Sequence, residues 1–281
     1  MIDRYSHPAW RIGVSAFLVF SAFVALAPIA WIVGLALRTG ADVYSRSIVP
    51  KTLRPENFVD AWNQFGLGPL FLNSVIVTVV SVVVAVVLST LAAYGFARLR
   101  FRGSEVVFLL ILLGLMIPPA ALIIPLFVEI RTLGLYDTHV GLSLVYIAFG
   151  LPLSILVLRS FFAGIPRELL EAARIDGANE LRILLNVVVP LAKAPIATVS
   201  ILMFLFCWND FFLALVLLKG GTAEATTYTL PVGIAQFIGQ YSTPYELVAA
   251  AVIIVAVPVF ILYLVLHRQF EQGVAEGAVK S

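Results

Sequence analysis

Asp210 lies in a long apolar run, with Cys207 three positions before it and Trp208 and Asn209 between them. For that neighbourhood to catalyse a reaction it would need paired carboxylates, a nucleophile with its base, or metal ligands at matching depth. One Asp and one Cys do not supply them. Cys207 is the only cysteine, which excludes an intramolecular disulfide and every multi-cysteine metal motif. His7, His139 and His267 are scattered, and no H-E-x-x-H or comparable spacing occurs. No catalytic residue and no metal ligand is expected. Asp210 itself is compatible with three roles: lining a polar solute path beside Asn209, contacting a partner chain, or making an interhelical hydrogen bond of structural value.

The densest group of informative polar residues lies in GIPRELLEAARIDGANELRILLNVVVPLAKAP, residues 164–195. Pro166 suits the first turn of a helix over 167–176. Leu169, Ala172, Ala173 and Asp176 are spaced i, i+3, i+4 and i+7, presenting a small-residue face with Glu168 and Glu171 nearby. Gly177 fits a helix stop. Asn179 can cap a second helix in which Leu181, Leu184, Leu185 and Val188 share a face, and Pro190 marks its end or bend. Such a hairpin either receives another protein against its small residues or lies on lipid headgroups.

The elements that hold these residues are membrane spans. The chain is 61% hydrophobic and 12% charged, against about 45–50% and about 25% in soluble proteins. A window of about 19 residues finds six apolar runs, at 14–36, 70–97, 106–128, 140–158, 194–218 and 247–266, with Asp210 the only charge inside them. Runs of this length must be helices. Ala25 and Ala27 resemble a signal-peptide site, but Pro28 follows and the apolar run continues to Ala36, so the first run is expected to be a retained helix. With both termini cytoplasmic, the inside segments hold 12 of the 18 Lys and Arg, most clearly Arg98, Arg100 and Arg102 in one short loop. Pro118, Pro119 and Pro125 in the third run, and Pro152 and Pro258 elsewhere, are expected kinks. The formal net charge of +2 gives no reason to expect nucleic acid. The expected fold is therefore an all-α membrane protein of six transmembrane helices, a single domain over 1–281 with its core at 70–268.

Glu171, Ala172 and Ala173, then Gly177, nine residues, Val187, Val188, Val189 and Pro190 resemble the EAA motif of permease subunits of ATP-binding-cassette importers. Val stands at the positions of the usual Ile and Leu. Asp176-Gly177-Ala178, Trp208-Asn209-Asp210, Asn73-Ser74 in the second run and the tail Gly277 to Lys280 are similar to carbohydrate-uptake permeases of the maltose-transporter MalG type.

The resemblance implies a multi-pass protein of the bacterial cytoplasmic membrane. It forms half of a translocation path with a second permease subunit, is driven by two ATPase subunits, and is supplied by an extracytoplasmic sugar-binding protein. It implies that 171–177 is a coupling helix inserted into the ATPase, with Glu171, Ala172, Ala173, Asp176, Gly177, Ala178 and Pro190 as the coupling residues. Asn73, Ser74, Asn209 and Asp210 are the candidates for the path or the contact between permeases. No cofactor is expected on this chain: it lacks a G-x-x-x-x-G-K-[ST] loop, so ATP and Mg belong to the ATPase. The tail 269–281 is expected to touch the ATPase pair. Tyr228, Phe237 and Tyr241 in the last outside segment suit a sugar-facing or protein-facing surface. The resemblance implies a sugar or oligosaccharide as cargo, with a polyol or glycerol 3-phosphate-like solute as the alternative; the spans hold no Arg, which favours neutral cargo over an anion. A self-contained secondary transporter would leave the hairpin without a role.

Overall fold

In a computed structural model of the chain, the residues described are 8–45, 50, 52–99, 101–221, 226–238 and 243–278, with side chains between 12 and 265. Their regular structure is all helical. In chain order it comprises α1 (Pro8–Ala36), α2 (Asn57–Gln64) and α3 (Leu67–Arg98), then α4 (Ser104–Leu113) and α5 (Ile123–Thr132). Two 3-10 turns, Gly114–Met116 and Pro119–Leu122, join α4 to α5. Next come α6 (His139–Gly164), α7 (Arg167–Ile175) and α8 (Glu180–Ile183), which runs through a π turn (Leu184–Val188) into α9 (Val189–Leu191). The remainder is α10 (Lys193–Asn209), α11 (Phe212–Leu217), α12 (Leu230–Ala235) and α13 (Tyr245–Ala278).

Among the described residues, four helices are long and apolar enough to cross a membrane: Ile12–Ala36, Leu67–Arg98, His139–Gly164 and Tyr245–Val265. Two bent pairs bring the number up to six. The third run, expected as one kinked span, is broken: α4 and α5 with their 3-10 turns meet at 95°. Ile117 and Pro118 are extended at the break, where Pro118 and Pro119 offer no N–H to a continuing helix. The fifth run is not continuous either. α10 stops at Asn209 after 17 residues, Asp210 is extended, and α11 restarts at Phe212. Pro152 and Pro258, by contrast, lie within uninterrupted helices.

Contacts divide the chain into two units, 1–67 with 234–256, and 68–233 with 257–281. In the first, buried Asn57 donates to the Ala36 and Arg38 carbonyls at 2.8 and 2.7 Å, pairing acceptors left open at the end of α1. Buried Arg38 donates to the Asp42 carbonyl at 3.1 Å and covers the Trp31 ring. No residue in the apolar window of α1 is buried.

In the second unit α6 is the central helix, with 56% of its apolar window buried against 33% for α3. The Thr138 hydroxyl caps it by accepting from the Gly141 N–H at 3.0 Å. Lipid tails are as apolar as leucine, so helices here associate by close packing rather than by escape from water. Gly150 on α6 illustrates this: a Cβ there would fall 1.9 Å from Met203 Sδ on α10. One buried cluster gathers Val77, Leu142, Tyr146, Met203, Leu213 and Leu217. A second gathers Ala93, Leu158, Phe162, Leu170, Ile183 and Val188 around α7 and α8.

Candidate functional site

The hairpin is built from local punctuation. Pro166 (φ −56°, ψ 136°) precedes α7, which runs nine residues. At its end the Gly177 N–H donates to the Arg174 carbonyl and the Ala178 N–H to the Ala173 carbonyl, both at 3.0 Å. This is the Schellman arrangement, and it requires the left-handed φ of 80° that Gly177 adopts. Asn179 then accepts from the Arg182 N–H at 2.9 Å and caps α8.

Burial fixes which face points where. Leu170 is 2% exposed and forms the foot of α7, packing with Ile165, Ile183 and Leu184. Ala173, expected on the presented face, turns inward with Ala178 onto this cluster. Glu171, Ala172 and Asp176 are exposed, as are Leu169 and Ile175, the last at 86%. The exposed ridge is therefore Leu169, Ala172 and Ile175 with Glu171 beside it. On the second helix the expected face is also corrected: Ile183, Leu184 and Val188 are buried, while Leu181 and Leu185 are exposed. The π turn adds a residue to the local repeat and rotates the phase. It lies just ahead of Pro190, which has no N–H for the Asn186 carbonyl. The segment 180–191 then bends 82° into α10.

Polar contacts hold the hairpin to its neighbours. The hydroxyl of Tyr94, on α3, donates to Glu180 Oε2 at 2.5 Å, and Arg174 Nε donates to Glu180 Oε1 at 2.9 Å. The bond from Arg174, followed by that from Tyr94, pulls the Glu180 pKa below the usual carboxylate value. One turn beyond Tyr94, Arg98 donates to the Phe162 and Ile165 carbonyls at the end of α6. A groove of about 450 Å³ runs between α3 and α7, lined by Arg98, Arg167, Leu170, Glu171 and Arg174. Glu171 makes no ion pair among the described residues.

The four residues singled out in the spans fall in two places. Asp210 Oδ2 accepts from the Tyr146 hydroxyl at 2.8 Å and from the Ala214 N–H at 3.0 Å, with the Leu213 N–H 3.5 Å from Oδ1. It thereby caps α11. Asn209 is exposed, and its amide donates back to the Leu205 carbonyl at 2.8 Å. Asn73 donates to the Thr226 and Tyr228 carbonyls at 2.8 and 3.0 Å, and the Ser74 hydroxyl accepts from the Leu230 N–H at 2.7 Å. Both are buried at the start of α3, fastening the segment that leads into α12. Asp137 fastens the same segment by accepting from the Lys219 N–H at 2.8 Å and from the Thr227 hydroxyl, and His139 Nε2 lies 3.1 Å from the Thr227 carbonyl oxygen. Phe237 stacks on Phe65 with centroids 4.3 Å apart. Tyr241 and Lys280 lie outside the described residues, as does His7; the backbone of α13 continues to Ala278.

Sequence reasoning did not identify Tyr94, Glu180, Tyr146 or Ile175 as site residues. Tyr94 carried a signal, being the one phenol in the second apolar run, one turn before Arg98. Ile175 carried another, as an apolar residue off the buried phase of a short polar helix.

The chain matches the family described as "Binding-protein-dependent transport system inner membrane component" over residues 85–276. It is 38% identical over 258 residues to the trehalose transport system permease protein SugB of Mycobacterium tuberculosis, covering 91% of this chain and 93% of that one. It is 36% identical over 275 residues to the probable ABC transporter permease protein YurM of Bacillus subtilis, covering 96% and 90% respectively. Among solved structures, a chain of a bacterial ABC transporter involved in the import of the acidic polysaccharide alginate superposes with a TM-score of 0.82. That chain is 28% identical, and the superposition covers 96% of this chain and 99% of the other.

Proposed function

This chain belongs to the family of binding-protein-dependent transport system inner membrane components, permease subunits of the cytoplasmic membrane, and from that premise we propose that it forms half of the path of an ABC importer for a carbohydrate and couples to its ATPase through α7. The observation that carries the coupling reading is the form of the hairpin. A nine-residue helix stands on a buried Leu170, is closed by Gly177, and turns Leu169, Ala172, Ile175 and Glu171 outward. A short rigid helix presenting an apolar ridge fits a cleft in a second protein, where its rigid-body motion can be passed to the spans on either side. Glu171 is suited to a charge-assisted bond with a basic residue of that protein.

In this reading ATP and Mg are held by two separate ATPase subunits, a second permease completes the path, and an extracytoplasmic binding protein delivers the solute. The hairpin and both termini are cytoplasmic, in keeping with the clustered arginines. Carbohydrate as cargo is supported by the relatives that carry trehalose and alginate. The absence of Arg from the apolar runs favours a neutral sugar over a phosphorylated solute.

The test is site-directed cross-linking in the reconstituted complex. Ala172→Cys is expected to form a cross-link to the ATPase, and Glu171→Arg to leave the chain inserted while abolishing ATP-driven uptake. Normal uptake in Glu171→Arg, or no cross-link from Ala172→Cys, would sink the coupling assignment. Stimulation of ATP hydrolysis by a loaded binding protein, tried with neutral disaccharides and with glycerol 3-phosphate, decides the cargo class.

A further inference from the structure

The two ends of α7 are tied to one turn of a helix with which it is not contiguous. Ahead of α7, the Phe162 and Ile165 carbonyls are gripped by Arg98. Behind it, Glu180 is gripped by Tyr94, while its other oxygen holds Arg174 in the last turn of α7. Tyr94 and Arg98 are four residues apart and therefore share a face of α3. Tyr94 is buried, so loss of the carboxylate weakens the pairing of its hydroxyl. At the other end of the same unbroken helix, Asn73 and Ser74 are bonded to the backbone of residues 226–230. The interval from Asn73 to Tyr94 is about 32 Å of helix, the thickness of a bilayer core.

We propose that α3 acts as a connecting rod: Tyr94, Arg98 and Glu180 are positioning residues that make it move with α7, and Asn73 and Ser74 deliver that motion to the 226–230 segment on the far side of the membrane. The inference rests on the coupling role proposed above and adds to it a third moving helix and a route from the ATPase end to the solute-receiving end. A continuous α-helix suits the task, because its backbone bonds resist stretching and neither Pro nor a break interrupts it between Asn73 and Arg98.

The experiment compares Tyr94→Phe, Glu180→Leu, which has no acceptor for the phenol, and the double variant in the reconstituted complex. Three quantities are measured: the cross-link from Ala172→Cys to the ATPase, ATP hydrolysis, and solute moved per ATP hydrolysed. The expected result for Tyr94→Phe is an intact cross-link, nearly unaltered hydrolysis, and a fall of about fivefold in solute per ATP, the factor one hydrogen bond is worth. The double variant should be no worse than the worse single one, since both remove the same link. A merely structural bond would lower the yield of complex and leave the ratio alone. An unchanged ratio in Tyr94→Phe, or losses that multiply in the double variant, overturns the rod. Loss of the cross-link in Tyr94→Phe overturns it too, because the bond would then be seating α7 rather than passing motion on. Absence of the cross-link in otherwise wild-type protein removes the coupling reading itself, and the two failures are thereby distinguished.

Discussion

A carboxylate within a membrane span costs on the order of 2.5–3.5 kcal/mol, and at Asp210 that cost is offset by the Tyr146 hydroxyl and by two amides that the start of α11 would otherwise leave unpaired. Asn is as good a helix cap as Asp and can still accept from a phenol, whereas Ala can do neither. Asp210→Ala is therefore expected to lose about 1 kcal/mol for the cap and a further ~1–3 kcal/mol for the stranded Tyr146 hydroxyl. Its melting temperature in detergent should fall, while Asp210→Asn melts close to wild type. Transport per folded complex should be similar in both. A transport defect in well-folded Asp210→Asn would instead assign the charge to the path or to the partner permease. The sequence marked Asp210 as a lone charge and left three roles open, because its partner lies 64 residues upstream. No proline or glycine announces the break beside it. Tyr94 and Glu180 were hidden for the same reason: their bond spans 86 residues, and spacing along a chain is informative only within a few turns of one helix.

Elements whose limits are set by their own residues were legible, and the hairpin is the clearest case. Pro166, Gly177 and Asn179 each act through a local backbone requirement, and α7 and the cap of α8 fall where those residues predict. What could not be read was rotational phase. Leu181 and Leu185 lie at the surface while Ile183, Leu184 and Val188 are buried, and Ala173 follows Leu170 inward, since short helices with apolar residues on several sides do not declare their buried face. Likewise Pro118 and Pro119 signal a kink, but the extended backbone at Ile117 and Pro118 makes it a break of 95°. Gly177 offers a test at this scale. A Cβ there meets nothing within 4 Å, and only the φ of 80° penalises a side chain. The penalty is about 1–2 kcal/mol for most residues and smaller for Asn, which tolerates the left-handed region. Initial uptake rates are expected to rank Gly177→Asn above Gly177→Ala above Gly177→Val. If Val were as active as Asn, the turn geometry would have no part in coupling.

For the whole molecule, composition sufficed to assign the membrane, and the exposed apolar surfaces of α1, α3 and α4 suit lipid surroundings. Orientation is a separate matter, because a helical bundle inverted in the bilayer would bury the same residues. The proposed orientation rests on electrostatics during insertion: short loops rich in Arg favour the cytoplasm, and Arg98, Arg100 and Arg102 are clustered in one short loop. The length of α3 turns this into a measurement. One end is bonded to residues 226–230 and the other to the hairpin, about 32 Å apart, so with α3 crossing the bilayer as proposed the two networks face opposite compartments. Lys219 and Arg182 are exposed at these two ends, and Cys207 is buried, which keeps background labelling low. A membrane-impermeant thiol reagent is expected to label Lys219→Cys in intact cells and Arg182→Cys only after permeabilisation. The reverse pattern would place the hairpin outside, where no ATP is available to drive it, and both the coupling role of α7 and the rod function of α3 would fall with it.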